Sequence, residues 1–462
     1  MTVVAAALLS CAQVQAQSVP DRVWPMYQYA ADHNAVFAAP DWEVTWRSAP
    51  SGGRINGGLS VVGKTLYFES FNQIGSPAQT VHAVDALTGQ ERWQKTLPNV
   101  VMNTPVVVDG LVIVGTGIDP GEPPLGLQAP LSGRPQGDAI YALNAATGSV
   151  VWKFDTVGQN MPTPVYYNND GRAEIIFTGG DLHVYALQAQ TGKLLWQRPA
   201  PGIDMMSSLA LYDGLVYGIT GYGFPQYDKI YQQRGPEAAR AEFQHTWAID
   251  PAGGLRWSMP FGQFGCSPTV AADTVFVESW LPTDARNPTL ARRALWGPPG
   301  GWIVYNIAIE TSHNEVAALD GRTGKLVWLR RFEPGVATSE GSHMDAVAGV
   351  YDDGRFYESI PINRTFSAFD AKTGATLWTM QTPDPVKMSA IEKDGVLYFG
   401  DASGMLYLVR AADGRVLKMV RFPSIFSISP PVIVGGSLFV ANGKLVYAMR
   451  LADLQNGVGP VP

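Results

Sequence analysis

Charge is scarce in this chain. Of its 462 residues, 16% are Asp, Glu, Lys or Arg, against about 25% in ordinary globular proteins. What charge there is leans acidic, at −7 net, so no basic footprint for nucleic acid exists. Cysteine is scarcer still, with only Cys11 and Cys266. If a leader carrying Cys11 is removed, an intrachain disulfide is ruled out. No later segment is an uninterrupted apolar stretch of transmembrane length. No Cys-x-x-Cys-His occurs, which excludes attached c-type haem. Glycine and proline, by contrast, are plentiful at 49 and 34 residues, too many for a helical bundle. Thirteen tryptophans within 11% aromatic content argue against a disordered chain.

The first residues read as a leader. Val3 to Leu9 is a short apolar run, and Val14-Gln15-Ala16 offers a small-residue cleavage site. Residues 1–16 are therefore expected to be a signal peptide and 17–462 a single domain. Leu8-Leu9-Ser10-Cys11 also resembles a lipobox, which would lipidate Cys11. Either reading puts the mature chain in the periplasm, at the outer membrane or outside the cell.

Internal self-similarity is the strongest signal. Val84-Asp85-Ala86-Leu87-Thr88-Gly89 leads to Trp93, Leu143-Asn144-Ala145-Ala146-Thr147-Gly148 to Trp152, and Leu187-Gln188-Ala189-Gln190-Thr191-Gly192 to Trp196. Related copies lead to Trp257, Trp328 and Trp378, and a degraded one carries Lys418 where Trp would stand. In each copy a short alternating strand enters a turn, where Asp or Asn can bond turn amides and Gly takes positive φ. A second strand then delivers the Trp, and two more strands lie upstream. Four short antiparallel strands per repeat make a propeller blade. Seven repeats and an unfinished eighth after Pro431 predict an all-β, eight-bladed propeller, closed by the N-terminal strand near Trp46.

The repeat Ala-x-Asp-x-x-Thr-Gly-x-x-x-Trp resembles that of the quinoprotein (PQQ-dehydrogenase-like) propellers, as does the opening Trp24-Pro25-Met26-Tyr27 with His33-Asn34. The resemblance implies that fold for residues 24 to 451 and leaves function open among PQQ-dependent alcohol or sugar dehydrogenases, BamB-like scaffolds and tetrathionate hydrolases. A dehydrogenase would hold PQQ against a vicinal disulfide and a Trp, with Ca²⁺ on Glu and Asn. Here no Cys-Cys pair exists, Met205-Met206 occupies the stretch of the stacking Trp, and Tyr222 stands where the metal-binding Asn is expected. Glu122 resembles the metal-binding Glu but falls one blade early. His343-Met344-Asp345 looks like the base motif and Asn363-Arg364 like the PQQ-contacting Arg, both one blade late.

Three repeats are long. Trp93 to Trp152 spans 59 residues, Trp196 to Trp257 spans 61 and Trp257 to Trp328 spans 71, where plain blades take 40 to 50. Such Pro/Gly-rich insertions cover a ligand or partner, a homodimer contact among them, or are passive variation. Asp345 lies outside the repeat turn and Asp284 sits in the longest insertion; each is a candidate general acid or base, with a solvated surface Asp as the plain alternative. Arg364, before Thr365-Phe366-Ser367-Ala368-Phe369, is expected on an inner strand aimed at the central axis, as a fork for sulfonate or carboxylate. His343, Tyr222, Met206 and Cys266 complete the expected substrate contacts, though Cys266 also suits a buried inert thiol. His183 and His313 read as satisfied structural histidines.

These groups point to an extracytoplasmic hydrolase of a small anionic sulfur substrate, similar to tetrathionate hydrolases and needing neither PQQ nor metal. The alternatives are a dehydrogenase using PQQ and Ca²⁺, with Glu122 as a ligand, and a scaffold without turnover. Sparse charge also limits the imbalance that acid creates, which suits an acid habitat.

Overall fold

The computed structural model describes residues 23–24, 43–49, 53–55, 57–71, 78–98, 103–117, 138–157, 160–169, 171–201, 207–220, 230, 233–262, 266–282, 290–295, 303–308, 311–336, 348–426 and 428–460. The leader, Cys11 and Cys11's lipobox lie outside them.

Eight antiparallel four-stranded blades form the fold. Blade 1 runs Ser60–Val62, Thr65–Ser70, Ala78–Asp85 and Glu91–Pro98, and Val23–Trp24 adds a strand at its inner edge. Blades 2 to 7 repeat this order through Val416–Arg421. Blade 8 takes three strands from the C-terminal region, and Trp46–Ser48 supplies its outermost one against Leu445–Arg450. The expected closure therefore holds, and it removes the free sheet edge of an incomplete last blade.

Burial grades outward along each blade, which fixes which strand is innermost. Second strands such as Thr65–Ser70 are buried at every position, whereas the fourth strand Leu326–Arg331 buries only Trp328. The short first strands of successive blades, three residues each except Val165–Asn169 of blade 3, approach one another around the axis.

Each Trp docks on the next blade. Its indole N–H donates to the carbonyl of the residue after the turn Asp or its equivalent: Trp93 to Ala145 at 2.9 Å, Trp328 to Ala371 at 2.8 Å and Trp46 to Ala86 at 2.9 Å. The turn glycine is required twice over. Gly374 has φ +68°, and a Cβ there would meet the Trp328 ring at 2.5 Å. Trp196 packs on Gly253 in the same way, but its indole N–H has no acceptor. Asp320 and Asp370 cap their own turns, each accepting from the Thr backbone N–H at 2.8 Å.

Among the described residues two α-helices fall outside the repeat pattern. α1 (Pro236–Phe243) belongs to the blade 4 insertion, and α2 (Leu451–Gln455) follows the last strand. α2 packs on the outer strand of blade 7, and the Gly457 that follows it lies against Lys418, where no Trp is present to dock. Among the described residues no helix is long and apolar enough to cross a membrane.

Candidate functional site

Strand direction gives the two ends of the propeller different characters. The first and second strands of a blade meet in a tight turn such as Val62-Gly63-Lys64-Thr65, and the third and fourth meet in the Thr-Gly turn. Both turns lie at one end. Every other connection, including all the insertions, leaves from strand ends at the opposite end. Long loops gathered at one end of a rigid scaffold are where binding groups concentrate.

The sequence-derived candidates belong to those connections. Glu122 lies in the blade 2 insertion, Met206 between blades 3 and 4, Tyr222 in the blade 4 insertion, and Asp284 in the blade 5 insertion. His343 and Asp345 lie between blades 5 and 6. All six are outside the described residues.

Two candidates, Arg364 and Cys266, are described. Arg364 precedes Thr365–Asp370, but that strand is the third of blade 6, two strands out from the axis. The residue is exposed in left-handed backbone (φ 54°, ψ 43°), and its guanidinium reaches only the Pro383 carbonyl at 3.4 Å. The error came from taking the repeat's strand as the inner one. Cys266 is wholly buried in the core between blades 4 and 5, with Tyr217, Phe261 and Ala317. A fully buried thiol fits the inert structural alternative read from the sequence. His313 Nδ1–H donates to the Phe332 carbonyl (2.7 Å) and His183 Nδ1–H to the Asp181 carbonyl (2.9 Å), as structural histidines do.

The structure adds groups that the sequence reading missed. Glu278 and Glu358 sit on the second strands of blades 5 and 6. Thr274 and Arg355 begin those strands at equivalent pairings, opposite Asp320 and Asp370. Glu278 is four residues on and Glu358 three, so they point to opposite faces of their sheets and into the same gap. Phe276 and Phe356, two residues before each, stack in that gap at 4.3 Å.

Burial pushes both carboxyls up, and each charge would repel the other; Glu278 lies well above its ordinary value and Glu358 at about 8. Asn314 Nδ2 donates to Glu278 Oε1 at 2.6 Å, and its Oδ1 accepts from the Ile362 N–H of blade 6 at 2.8 Å. The Ser359 N–H donates to Glu358 Oε1 at 2.8 Å. Glu69 occupies the Glu278 position in blade 1 and is also raised well above its usual range by burial. The Asn103 amide, oriented by its neighbours, donates to both Glu69 oxygens at 3.1 Å. Neutral carboxylic acids at this end could donate or accept protons. The signal was present in the sequence as a Glu-Ser pair inside an apolar strand: Glu69-Ser70, Glu278-Ser279 and Glu358-Ser359.

Between blades 4 and 5, Glu315 is wholly buried and binds Arg240 of α1 and Arg331, whose Nε and Nη2 each lie 2.7 Å away. A third polar chain lies in blade 1. Ser70 Oγ meets His82 Nε2 at 2.7 Å, and His82 Nδ1 meets Glu91 Oε2 at 3.0 Å. Here the serine is wholly buried and the carboxylate is 38% exposed, the reverse of what a nucleophilic serine needs. The chain ties three strands together.

The chain has no vicinal cysteines, and Cys266 is enclosed in the core. Among the described residues no group of three or more His, Cys, Asp or Glu could hold a metal.

The family model described as outer membrane protein assembly factor BamB matches residues 34–223 and 248–457, and the chain belongs to that family. The tetrathionate hydrolase of Acidithiobacillus ferrooxidans is 25% identical over 422 residues, 87% of this chain and 73% of that protein. The outer membrane protein assembly factor BamB of Yersinia pestis is 22% identical over 397 residues, 85% of this chain and 71% of that one. Among solved structures, a europium-containing methanol dehydrogenase has a TM-score of 0.61 at 15% identity, covering 92% of this chain and 90% of its own. The quinohemoprotein alcohol dehydrogenase of Comamonas testosteroni has 0.63 at 15% identity, covering 96% and 81%. At that identity these two bear on the fold alone.

Proposed function

We propose that this member of the family is an extracytoplasmic hydrolase of a small anionic sulfur compound of the tetrathionate type, working without PQQ or metal. The likeness to a tetrathionate hydrolase across 87% of the chain carries the reading. Buried carboxylic acids at the loop-bearing end support it, as does the lack of a cysteine pair for PQQ. In the reaction a water oxygen bonds to one inner sulfur of tetrathionate while the central S–S bond breaks. Thiosulfate leaves with the electron pair, and Asp345 or Asp284 takes the proton from the attacking water. The attacked sulfur keeps its own sulfonate and carries the hydroxyl.

The test is thiosulfate release from tetrathionate by the purified chain at pH 3 and pH 7, with no cofactor added. Asp345→Asn or Asp284→Asn should lower the rate by 10²-fold or more. Dye reduction that appears only after PQQ and Ca²⁺ are added would replace this reading with the dehydrogenase. Family membership favours one further reading, a scaffold at the outer membrane. Absence of turnover together with outer-membrane association would establish that instead.

A further inference from the structure

Gln244 follows α1 at the loop-bearing end, and its backbone N–H donates to the Arg240 carbonyl at 2.9 Å, placing the two side chains one helical turn apart. Its side chain is wholly buried, yet neither Oε1 nor Nε2 has a hydrogen-bond partner. Arg240 is 6% exposed, and its Nε–H is also unpartnered. Its other nitrogens are engaged: Nη2 with Glu315, and Nη1 with Glu237 at 3.8 Å. The guanidinium lies over the Phe261 ring, 5.3 Å from its centroid.

Orphaned buried amides are rare because folding strips their water and returns nothing. Here three buried N–H donors are left without acceptors on two residues one helical turn apart. Buried Arg240 and Glu315 balance each other and Arg331, 46% exposed, pairs with Glu237, 65% exposed, so the excess of orphaned N–H donors over acceptors is what favours an oxyanion.

We propose that Arg240 and Gln244 form an oxyanion subsite between blades 4 and 5, at the end that bears the insertions. It would take a tetrahedral sulfur oxyanion, the Nε–H of Arg240 and the amide N–H groups of Gln244 donating to its oxygens. Gln244 Oε1 is left for a protonated oxygen or for water carried in with the anion. Identifying this anion as the sulfonate end of the substrate rests on the hydrolase reading; the binding itself does not. The role expected of the exposed Arg364 moves to Arg240.

Thermal unfolding of the full chain in sodium sulfate, against sodium chloride at equal ionic strength and pH 5, tests the site. Sulfate also stabilises proteins by exclusion, but that effect grows without saturating and acts on any variant. Wild type should show a saturable component of about 3 °C once sulfate exceeds Kd a hundredfold. Gln244→Met should weaken that component tenfold or more while raising the midpoint in chloride, since the orphaned amide is gone. Arg240→Lys, which keeps the charge beside Glu315 and loses the Nε donor, should weaken it as well. A wild-type response that never saturates, or Gln244→Met binding sulfate as wild type does, overturns the subsite. Tetrathionate turnover measured on the same samples separates the two ideas. Turnover without saturable sulfate sinks only the subsite, and saturable sulfate without turnover sinks only the hydrolase.

Discussion

The carboxyl pair between blades 5 and 6 sets how stability depends on pH. Glu358 is 3% exposed, and burial lifts it from 4.5 to about 8, with Glu278 raised well above 4.5 beside it. A carboxyl with a raised folded pKa holds its proton more tightly in the folded chain. Its contribution is therefore fully present below pH 4.5, is lost as pH rises from 4.5 to 8, and is flat beyond. For Glu358 the shift of about 3.5 units corresponds to at most about 5 kcal/mol. With about 2 cal/mol/K of unfolding entropy per residue, a chain this long loses about 1 kcal/mol per degree. Wild type should thus melt about 5 °C lower at pH 8 than at pH 4.5 from this source alone.

Glu69 and Glu392, the latter raised to about 7 by burial, slope the same way, so the informative quantity is a difference. In the double variant Glu278→Gln with Glu358→Gln the two amides cannot ionise, and the Asn314 amide and Ser359 N–H keep an acceptor. Calorimetric melts at pH 4.5, 6, 7 and 8 should show wild type falling about 5 °C further than the variant. Parallel curves would refute the reasoning, as would wild type gaining on the variant towards pH 8.

Gly374→Ala should cost about 2 kcal/mol or more, because the new Cβ meets Trp328 at 2.5 Å from a left-handed backbone; chemical denaturation measures it, and a neutral result would remove the docking argument. Trp328→Ala should cost about 3–5 kcal/mol in the same assay through lost packing and the lost bond to Ala371. Glu315→Gln leaves two guanidinium groups beside a neutral amide and should cost about 3–5 kcal/mol, read as a lower denaturation midpoint. Cys266 should resist a thiol reagent in the native protein and react once urea unfolds it, as peptide mapping would report; native-state labelling would contradict its burial.

The fold was legible because every blade repeats the same mechanical parts. Asp or Asn at the turn, Thr-Gly after it and Trp beyond can be counted along the chain, and Trp46 completes the eighth blade as that count required. What could not be counted was register. Glu278 and Glu358 meet only because one lies four and the other three residues into equivalent strands, an offset that motif matching does not weigh. Arg364 failed for a related reason: its motif was sound, but its strand is third from the axis. Arg240 and Gln244 were hidden by α1, a short helix within an insertion that carries no repeat signal.

The scarcity of charge acquires a spatial pattern in the folded chain. At the tight-turn end, hydrogen bonds from Thr323 and Thr373 hold Asp320 and Asp370 below the usual carboxylate range, and Arg410 holds Asp413 at about 2. These groups stay ionised well into acid, where they keep capping their turns. Inside the loop-bearing end the opposite holds, and Glu69, Glu278 and Glu358 are kept neutral by burial. Lowering the pH therefore adds few protons to either set, because one resists protonation and the other already has it. Acid unfolding draws on carboxylates that must gain protons as the pH falls; the buried glutamic acids are removed from that pool, whereas the turn aspartates, held below their unfolded value, lose their contribution only as the pH falls below about 4. The wild-type midpoint should consequently hold steady or rise between pH 6 and pH 4. A fall over that interval, with the double glutamine variant falling equally, would show that other carboxylates govern acid stability and would withdraw support for an acid habitat.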